Sequence, residues 1–371
     1  MKTSPLFKAT LYRLSTFLLL TIFLHSAQAA TVVDLGTLLP GGYSQAFAIN
    51  NNGVVVGLSD DHAFVWTAGD GILALPDYGV SSSALGVNDN NEVVGYSKKS
   101  VPGNPGASNI FYVHAVSWKK QGGNWHITDL GQLPVGSTKY YSSANAINGT
   151  GKIVGVGNVA SGAYHAFKKG NGPPTDLLTL PGGSYSAAFG INDSGFVVGF
   201  ADSPTQNGQG RAFVLDPNAG NTLPSAGVDL GKLYFNDFNS MASAINNSPQ
   251  PYVVGHSGTR AFCHRFTGFG SSLVSGPAPF GDDLGMLPGD YVSEAAAINV
   301  GRDVVGTSSG TFPRAFVYYD PTNPLNGMTD LTAQVLGSGW ILTSAYGIND
   351  AGWIVGQGIT SGQTHAFLFQ P

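Results

Sequence analysis

The stretch LPGGSYSAAFGINDSGFVVGF, Leu180–Phe200, decides the fold. It is dense in glycine and serine and carries a single charge, Asp193. A near copy, LPGGYSQAFAINNNGVVVGL, starts at Leu39. Laying the chain against itself yields seven copies of a segment [Ser/Thr]-x-Ala-x-[Ala/Gly]-[Ile/Val]-Asn, ending at Asn50, Asn88, Asn148, Asn192, Asn246, Asn299 and Asn349. A [Val/Ile]-Val-Gly segment follows each, ending at Gly57, Gly95, Gly155, Gly199, Gly255, Gly306 and Gly356. The Asn-to-Gly distance is seven residues in six copies and nine in the fifth. Next comes His/Arg-Ala-Phe/Val, starting at His62, His114, His165, Arg211, Arg260, Arg314 and His365. An Asp-Leu segment completes the set at Asp34, Asp129, Asp176, Asp229, Asp283 and Asp330, and one copy has GILALP instead.

Each copy reads as four strands. The first alternates small residues with variable ones, which is strand periodicity. Asn and Gly then suit a tight turn. Val-Val-Gly, the His/Arg-Ala-Phe segment and Asp-Leu-Gly supply the second, third and fourth strands. No convincing helix is read between residues 30 and 371. Seven four-stranded units recurring every 38 to 60 residues predict an all-β, seven-bladed β-propeller. Small residues fit the crowded strand nearest the axis. The ends agree: TVVDLGTL is a fourth strand with no blade before it, and HAFLFQ is a third strand with no partner after it. Pairing residues 31–38 with residues 365–370 closes the ring and removes both sheet edges, where an open solenoid would leave them bare.

Residues 1–29 read as a signal peptide, with Lys2, Lys8 and Arg13 ahead of an apolar run from Phe17 to Leu24 and Ala27-Gln28-Ala29 as the cleavage site. The propeller is expected over residues 30–371, with no membrane-spanning helix in the mature chain. The single cysteine, Cys263, excludes an intramolecular disulfide. The formal charge of −5, with no basic run longer than two lysines, argues against a nucleic-acid partner.

The combined DLGxLPGG, AIN, VVG and HAF pattern resembles the HAF-repeat family of bacterial exported proteins, whose tripeptide stands here at His62, His165 and His365. The resemblance runs through all of residues 30–371. It departs from the pattern at Val116, at the Arg-Ala-Phe copies, and where LYFND and LGSGW lack the proline. It implies an extracellular, periplasmic or envelope location and leaves the ligand open.

The repeated His/Arg positions are not read as a metal ring, because arginine is not a ligand. They are expected to tie down turn carbonyls, as structural repeat residues, and the seven Asn residues to cap their turns. VNDNNE, Val87–Glu92, is the nearest approach to a calcium loop and lacks its alternating carboxylates. GTSSG, Gly306–Gly310, has the nucleophile-elbow spacing without the strand-to-helix setting. Only Glu92 and Glu294 are glutamates, and the Asp60-Asp61 and Asp282-Asp283 pairs alternate faces, so glycoside chemistry is not demanded. No cofactor or metal is expected.

One feature exceeds what the fold needs. Every loop from a fourth strand into the next first strand carries an aromatic: Tyr43, Tyr78, Tyr140 with Tyr141, Tyr185, Phe235 with Phe238, Tyr291 and Trp340. These loops should share one face with the loops between second and third strands, of which the longest, Tyr96–Val113, contains VPGNPG and Phe111-Tyr112. Such rings suit sugars or apolar side chains of a partner. They point to a monomeric, non-catalytic module binding glycan or a surface protein. The alternatives are a polymer-acting hydrolase or lyase, and a structural envelope or matrix protein.

Overall fold

The computed structural model describes residues 30–102, 108–133, 141–203 and 209–371. Seven four-stranded antiparallel sheets follow one another around an axis. Blades 1 to 6 comprise residues 44–74, 79–129, 142–176, 186–229, 240–285 and 292–330. Blade 7 takes residues 340–370 and borrows residues 31–34 from the start of the chain. That borrowed strand pairs Thr31 with Gln370 and Asp34 with Phe367, which is the closure expected from the unmatched ends. Two four-residue helices, Leu223–Ala226 and Leu331–Gln334, flank fourth strands and were not anticipated. None of the described helices is long and apolar enough to cross a membrane.

Each piece of the repeat has a packing reason. The first strand bulges one residue before its Ile-Asn end, as between Ala188 and Gly190 in blade 4. The bulge drives a backbone carbonyl toward the second strand, so a Cβ on Gly199 would clash with Ala187 O. The same clash recurs at Gly57 with Gln45 O and at Gly356 with Ser344 O. The bare glycine leaves room for the phenylalanine opposite, which pairs with it as Gly199 with Phe213. Phe64, Phe167, Phe213, Phe262, Phe316 and Phe367 are all fully buried in this way. In blade 2, Val116 stands opposite Gly95, and Trp118 two residues on is fully buried.

Adjacent blades are stitched at two levels. The alanine N–H of His/Arg-Ala-Phe donates to the serine that opens the next blade: Ala166 to Ser186 Oγ at 2.8 Å, Ala212 to Ser240 at 2.9 Å, and Ala366 to Ser44 at 2.8 Å across the chain ends. Nearer the axis, each repeat asparagine donates from Nδ2 to the backbone carbonyl of the next one. Asn50 reaches Asn88, and the series runs through Asn148, Asn192, Asn246, Asn299 and Asn349 back to Asn50, at 2.8–3.2 Å. The same side chains cap their own turns through Oδ1; Asn50 accepts from the N–H of Asn52 and Val54 at 3.0 and 2.9 Å. All seven are buried. An outer, interrupted ring surrounds this one: Asp89, Asp193, Asn247, Asp350 and Asn51 accept backbone N–H groups from the preceding blade.

On this axial face Arg302, in the turn of blade 6, grips Asp320 through Nε and Nη2 at 2.9 and 2.8 Å. The Arg302 hydrogen bond outweighs burial and holds the Asp320 carboxyl below its ordinary 3.8. A depressed carboxylate stabilises the fold above its ordinary value and loses that contribution as pH falls through the folded value. Since both groups are partly exposed, Arg302→Gln should cost under about 1 kcal/mol at neutral pH. Thermal melts from pH 7 to pH 2 should show that cost shrinking toward zero at the acid end. The ring makes a larger prediction. Asn192→Ala removes one inter-blade donor and one cap acceptor from a buried position, so about 2 kcal/mol should be lost in denaturant unfolding, against under about 0.5 kcal/mol for exposed Asn218→Ala.

Candidate binding face

Carboxylates hold the loops that enter blades 1 and 4. In blade 1, Asp60 accepts from Leu39 N at 3.0 Å and Tyr43 N at 3.1 Å. In blade 4, Asp202 accepts from Ser184 N and Tyr185 N, both at 2.7 Å. Asp60 follows the second strand of blade 1 and Asp202 lies near the end of that of blade 4, so the ends of second strands do meet the loops entering the blades on one face. The approach is close enough that a Cβ on Gly42 or Gly183 would collide with Asp60 or Asp202, which accounts for the second glycine of LPGG.

The His/Arg positions lie beneath this face and do something other than expected. Their partners are the aspartates of the fourth strand: His114 with Asp129 at 2.8 Å, His165 with Asp176 at 2.9 Å, Arg260 with Asp283 at 3.1 Å and His365 with Asp34 at 2.9 Å. Arg314 reaches Asp290 at 2.9 Å and Asp330 at 3.5 Å. Arg314 also donates to Pro288 O, and Arg211 donates to Gly210 O. The carboxylate also accepts from the N–H two residues on, as Asp176 does from Leu178, so one pair fixes both the third strand and the turn leaving the fourth. In the copy with GILALP, Ala74 stands opposite Phe64 where Asp34 stands opposite Phe367, and Asp77 supplies the carboxylate to His62 at 2.6 Å.

The loop aromatics divide. Phe235 and Phe238 are 94% and 72% exposed and Tyr291 is 64% exposed. Tyr43 stands at the surface with its hydroxyl on Asp61 at 2.8 Å. Tyr141 and Tyr185 belong to a run of edge-packed rings, Tyr141–Tyr164–Tyr185–Phe200, with centroids 5.4, 6.1 and 5.7 Å apart. Burial pushes the phenols of Tyr141 and Tyr185 above their ordinary value. Tyr78 is half-buried and packs edge-on to His114. Trp340 is a correction: only 8% exposed, it packs against Phe367 in the blade 6–7 core and offers no face to a ligand. Tyr140 lies outside the described residues.

Sequence reasoning passed over Tyr164, Phe200 and His256, the last of them near Glu294. The signal was available, since the residue after Val-Val-Gly is the least constrained of the repeat: Leu58, Tyr96, Val156, Phe200, His256, Thr307 and Gln357. Burial lowers the His256 pKa, and the Glu294 charge opposes the shift.

The sites weighed for catalysis resolve into structure. Ser308 of GTSSG donates to Asp290 at 2.7 Å, accepts from Leu287 N at 3.0 Å and is fully buried. Asp60 and Asp61 are engaged as above, and Glu92 pairs with Lys119 at 3.1 Å. His264 links Asp282 and Ser271 at 2.8 Å each, an acid–base–hydroxyl chain. All three are buried, at 8% exposure or less, and they fasten the long connection between residues 265 and 283 to blade 5. No group of three or more His, Cys, Asp or Glu among the described residues could hold a metal.

No family model and no curated protein matches the chain. Solved structures do, distantly. One is an oxidoreductase from Thermus thermophilus described as a glucose dehydrogenase, at 10% identity and TM-score 0.43, covering 92% of this chain and 99% of that one. Another is the extracellular domain of a one-component system from B. thetaiotaomicron, at 9% identity and TM-score 0.47, covering 91% of this chain and 40% of that one. A third is a Trypanosoma rangeli sialidase in complex with sialic acid, at 11% identity and TM-score 0.42, covering 93% of this chain and 59% of that one. The chain thus spans less than two thirds of the sensor domain and of the sialidase.

Two inert groups give a direct check. Burial pushes the Cys263 thiol far above its ordinary range, so the native protein should release no thionitrobenzoate from Ellman's reagent until denatured. Ser271, capped beneath its loop, should stay unlabelled by a fluorophosphonate probe in intact-mass analysis.

Proposed function

We propose that the chain is an exported, non-catalytic binding module that recognises glycan or a cell-surface protein through the loop face, and that it is a member of the HAF-repeat family acting as a monomer outside the cytoplasm. The observation that carries this reading is the exposure of Phe235, Phe238 and Tyr291 on loops of one face. Burying a large apolar ring stabilises a fold by about 1.5–3 kcal/mol, so rings left in water forgo that gain. Rings on anchored loops present apolar area at little ordering cost, which is what a recognition surface needs. The engagement of Asp60, Asp202 and Asp290 by backbone and side-chain donors supports binding over hydrolysis, because an acid–base pair needs carboxylates facing the substrate.

The test is a glycan array, with a panel of purified cell-surface proteins beside it, probed with residues 30–371 and a Phe235→Ser/Phe238→Ser/Tyr291→Ala variant. At least about a tenfold loss of affinity is expected, with melting temperatures within about 2 °C because these side chains bury little. Unchanged binding by the variant overturns the reading. So does binding of the intact chain to neither panel.

A further inference from the structure

The hairpin between the second and third strands of blade 2 is longer than packing requires. Its strands, Val93–Val101 and Ile110–Gln121, are nine and twelve residues, against six and six for Ile153–Asn158 and Tyr164–Lys169 in blade 3. The extra residues at the joined ends, Lys99–Val101 and Ile110–Tyr112, project on the loop face. Across the hairpin Ser97 pairs with His114, Lys99 with Tyr112 and Val101 with Ile110, which sets these side chains on one side. A groove of about 550 Å³ opens there, lined by Lys99, Val101, Tyr112, His114, Asp129 and Gln132.

Its chemistry is specific. Tyr112 offers a half-buried aromatic ring. Asp129 lies 2.8 Å from His114 Nδ1 and accepts from Gly131 N at 2.9 Å. Burial alone would raise the Asp129 pKa, but the His114 contact, the Gly131 N–H and the nearby His114 and Lys99 charges together hold it below 3.8. The groove thus joins an apolar ring, a fixed ionised acceptor, an exposed ammonium donor and an amide. Lys99 and Asp129 cancel in formal charge.

We infer that this groove is a subsite for a neutral pyranose, with Tyr112 against the C–H face of the ring, Asp129 accepting from vicinal hydroxyls, and Lys99 and Gln132 completing the hydrogen bonds. A volume of about 550 Å³ holds one or two sugar rings. The inference rests on the reading of the loop face as a recognition surface and names its ligand class. An acidic sugar would set its carboxylate against Asp129; a planar apolar ligand would leave Asp129 and Lys99 unpaired.

The experiment is calorimetric titration of residues 30–371 with neutral tetrasaccharides of glucose, mannose and N-acetylglucosamine, and with a tetragalacturonate. One neutral tetrasaccharide should bind. Tyr112→Ala should weaken it at least about tenfold, Tyr112→Phe should leave it within about threefold because the ring face remains, and Lys99→Gln should weaken it by about three- to tenfold. Raising NaCl from 50 to 500 mM should change affinity less than about twofold, since no net charge is neutralised. Failure of every neutral sugar, preferential binding of the uronate, steep salt dependence, or full affinity in Tyr112→Ala would each overturn the inference. Phe235→Ser/Phe238→Ser separates the two claims. If it abolishes sugar binding while Tyr112→Ala does not, the loop-face reading stands and the subsite falls. If neither variant alters binding, both fall.

Discussion

A closed ring of seven asparagine side chains is the constraint on which the rest of the molecule depends. A propeller has no single core; each sheet packs only on its two neighbours, and apolar packing alone tolerates slippage between them. An amide that donates to the next blade and accepts from its own turn fixes blade height and turn shape in one residue. Aspartate would lack the donor, and serine would lack the reach to do both. The inter-blade Ser–Ala contacts set the same register farther out, and the Gly–Phe pairs fill the space between sheets once it is set. The ring passes through Asn349 and Asn50, which lie 299 residues apart, so it can close only once the first strand and turn of blade 7 are in place. The strand borrowed from residues 31–34 fastens the same junction at the rim.

This dependence explains why the fold was legible. A residue that must serve the same two bonds in every blade recurs in every copy, and so do its glycine and serine supports. Blade number, strand order and closure follow from counting them. The one irregular fourth strand was legible as a gap but not as a solution, because Asp77 reaches His62 from three positions beyond the place that Ala74 occupies. The His/Arg positions were legible as structural and misread in partner. Sequence displays His-Ala-Phe and Asp-Leu-Gly as separate motifs, and only the pairing of third and fourth strands brings them into one contact.

The loop face was legible only in outline. Aromatic residues recur in the entering loops, yet recurrence does not distinguish a ring that plugs a gap from one that faces water. Trp340 and Phe235 occupy corresponding loops, and one is 8% exposed while the other is 94% exposed. The difference lies in what surrounds them. Trp340 begins a nine-residue first strand and is drawn over Phe367, whereas Phe235 stands in a turn pinned by Asp237 before the strand begins. Tyr164 and Phe200 escaped notice for the opposite reason: they lie inside strands and join the aromatic run only because neighbouring blades meet there.

The two faces therefore carry different duties. On the axial face nearly every polar side chain is committed to holding blades together, so substitution there is costly and the repeat is strict. On the opposite face the same commitment is made one layer down, by Asp60, Asp202 and the His–Asp pairs, and the residues above that layer are released to vary. The blade 2 hairpin is the largest use of that freedom: its base up to Ser97 and His114 obeys the repeat, and its outer half beyond them follows no other blade. A scaffold that fixes loop roots and leaves loop tips unconstrained can alter its ligand without altering its fold. On the proposed reading, ligand identity would be written in Tyr112, Lys99, Phe235 and Phe238, with the repeat residue Asp129 as their fixed neighbour.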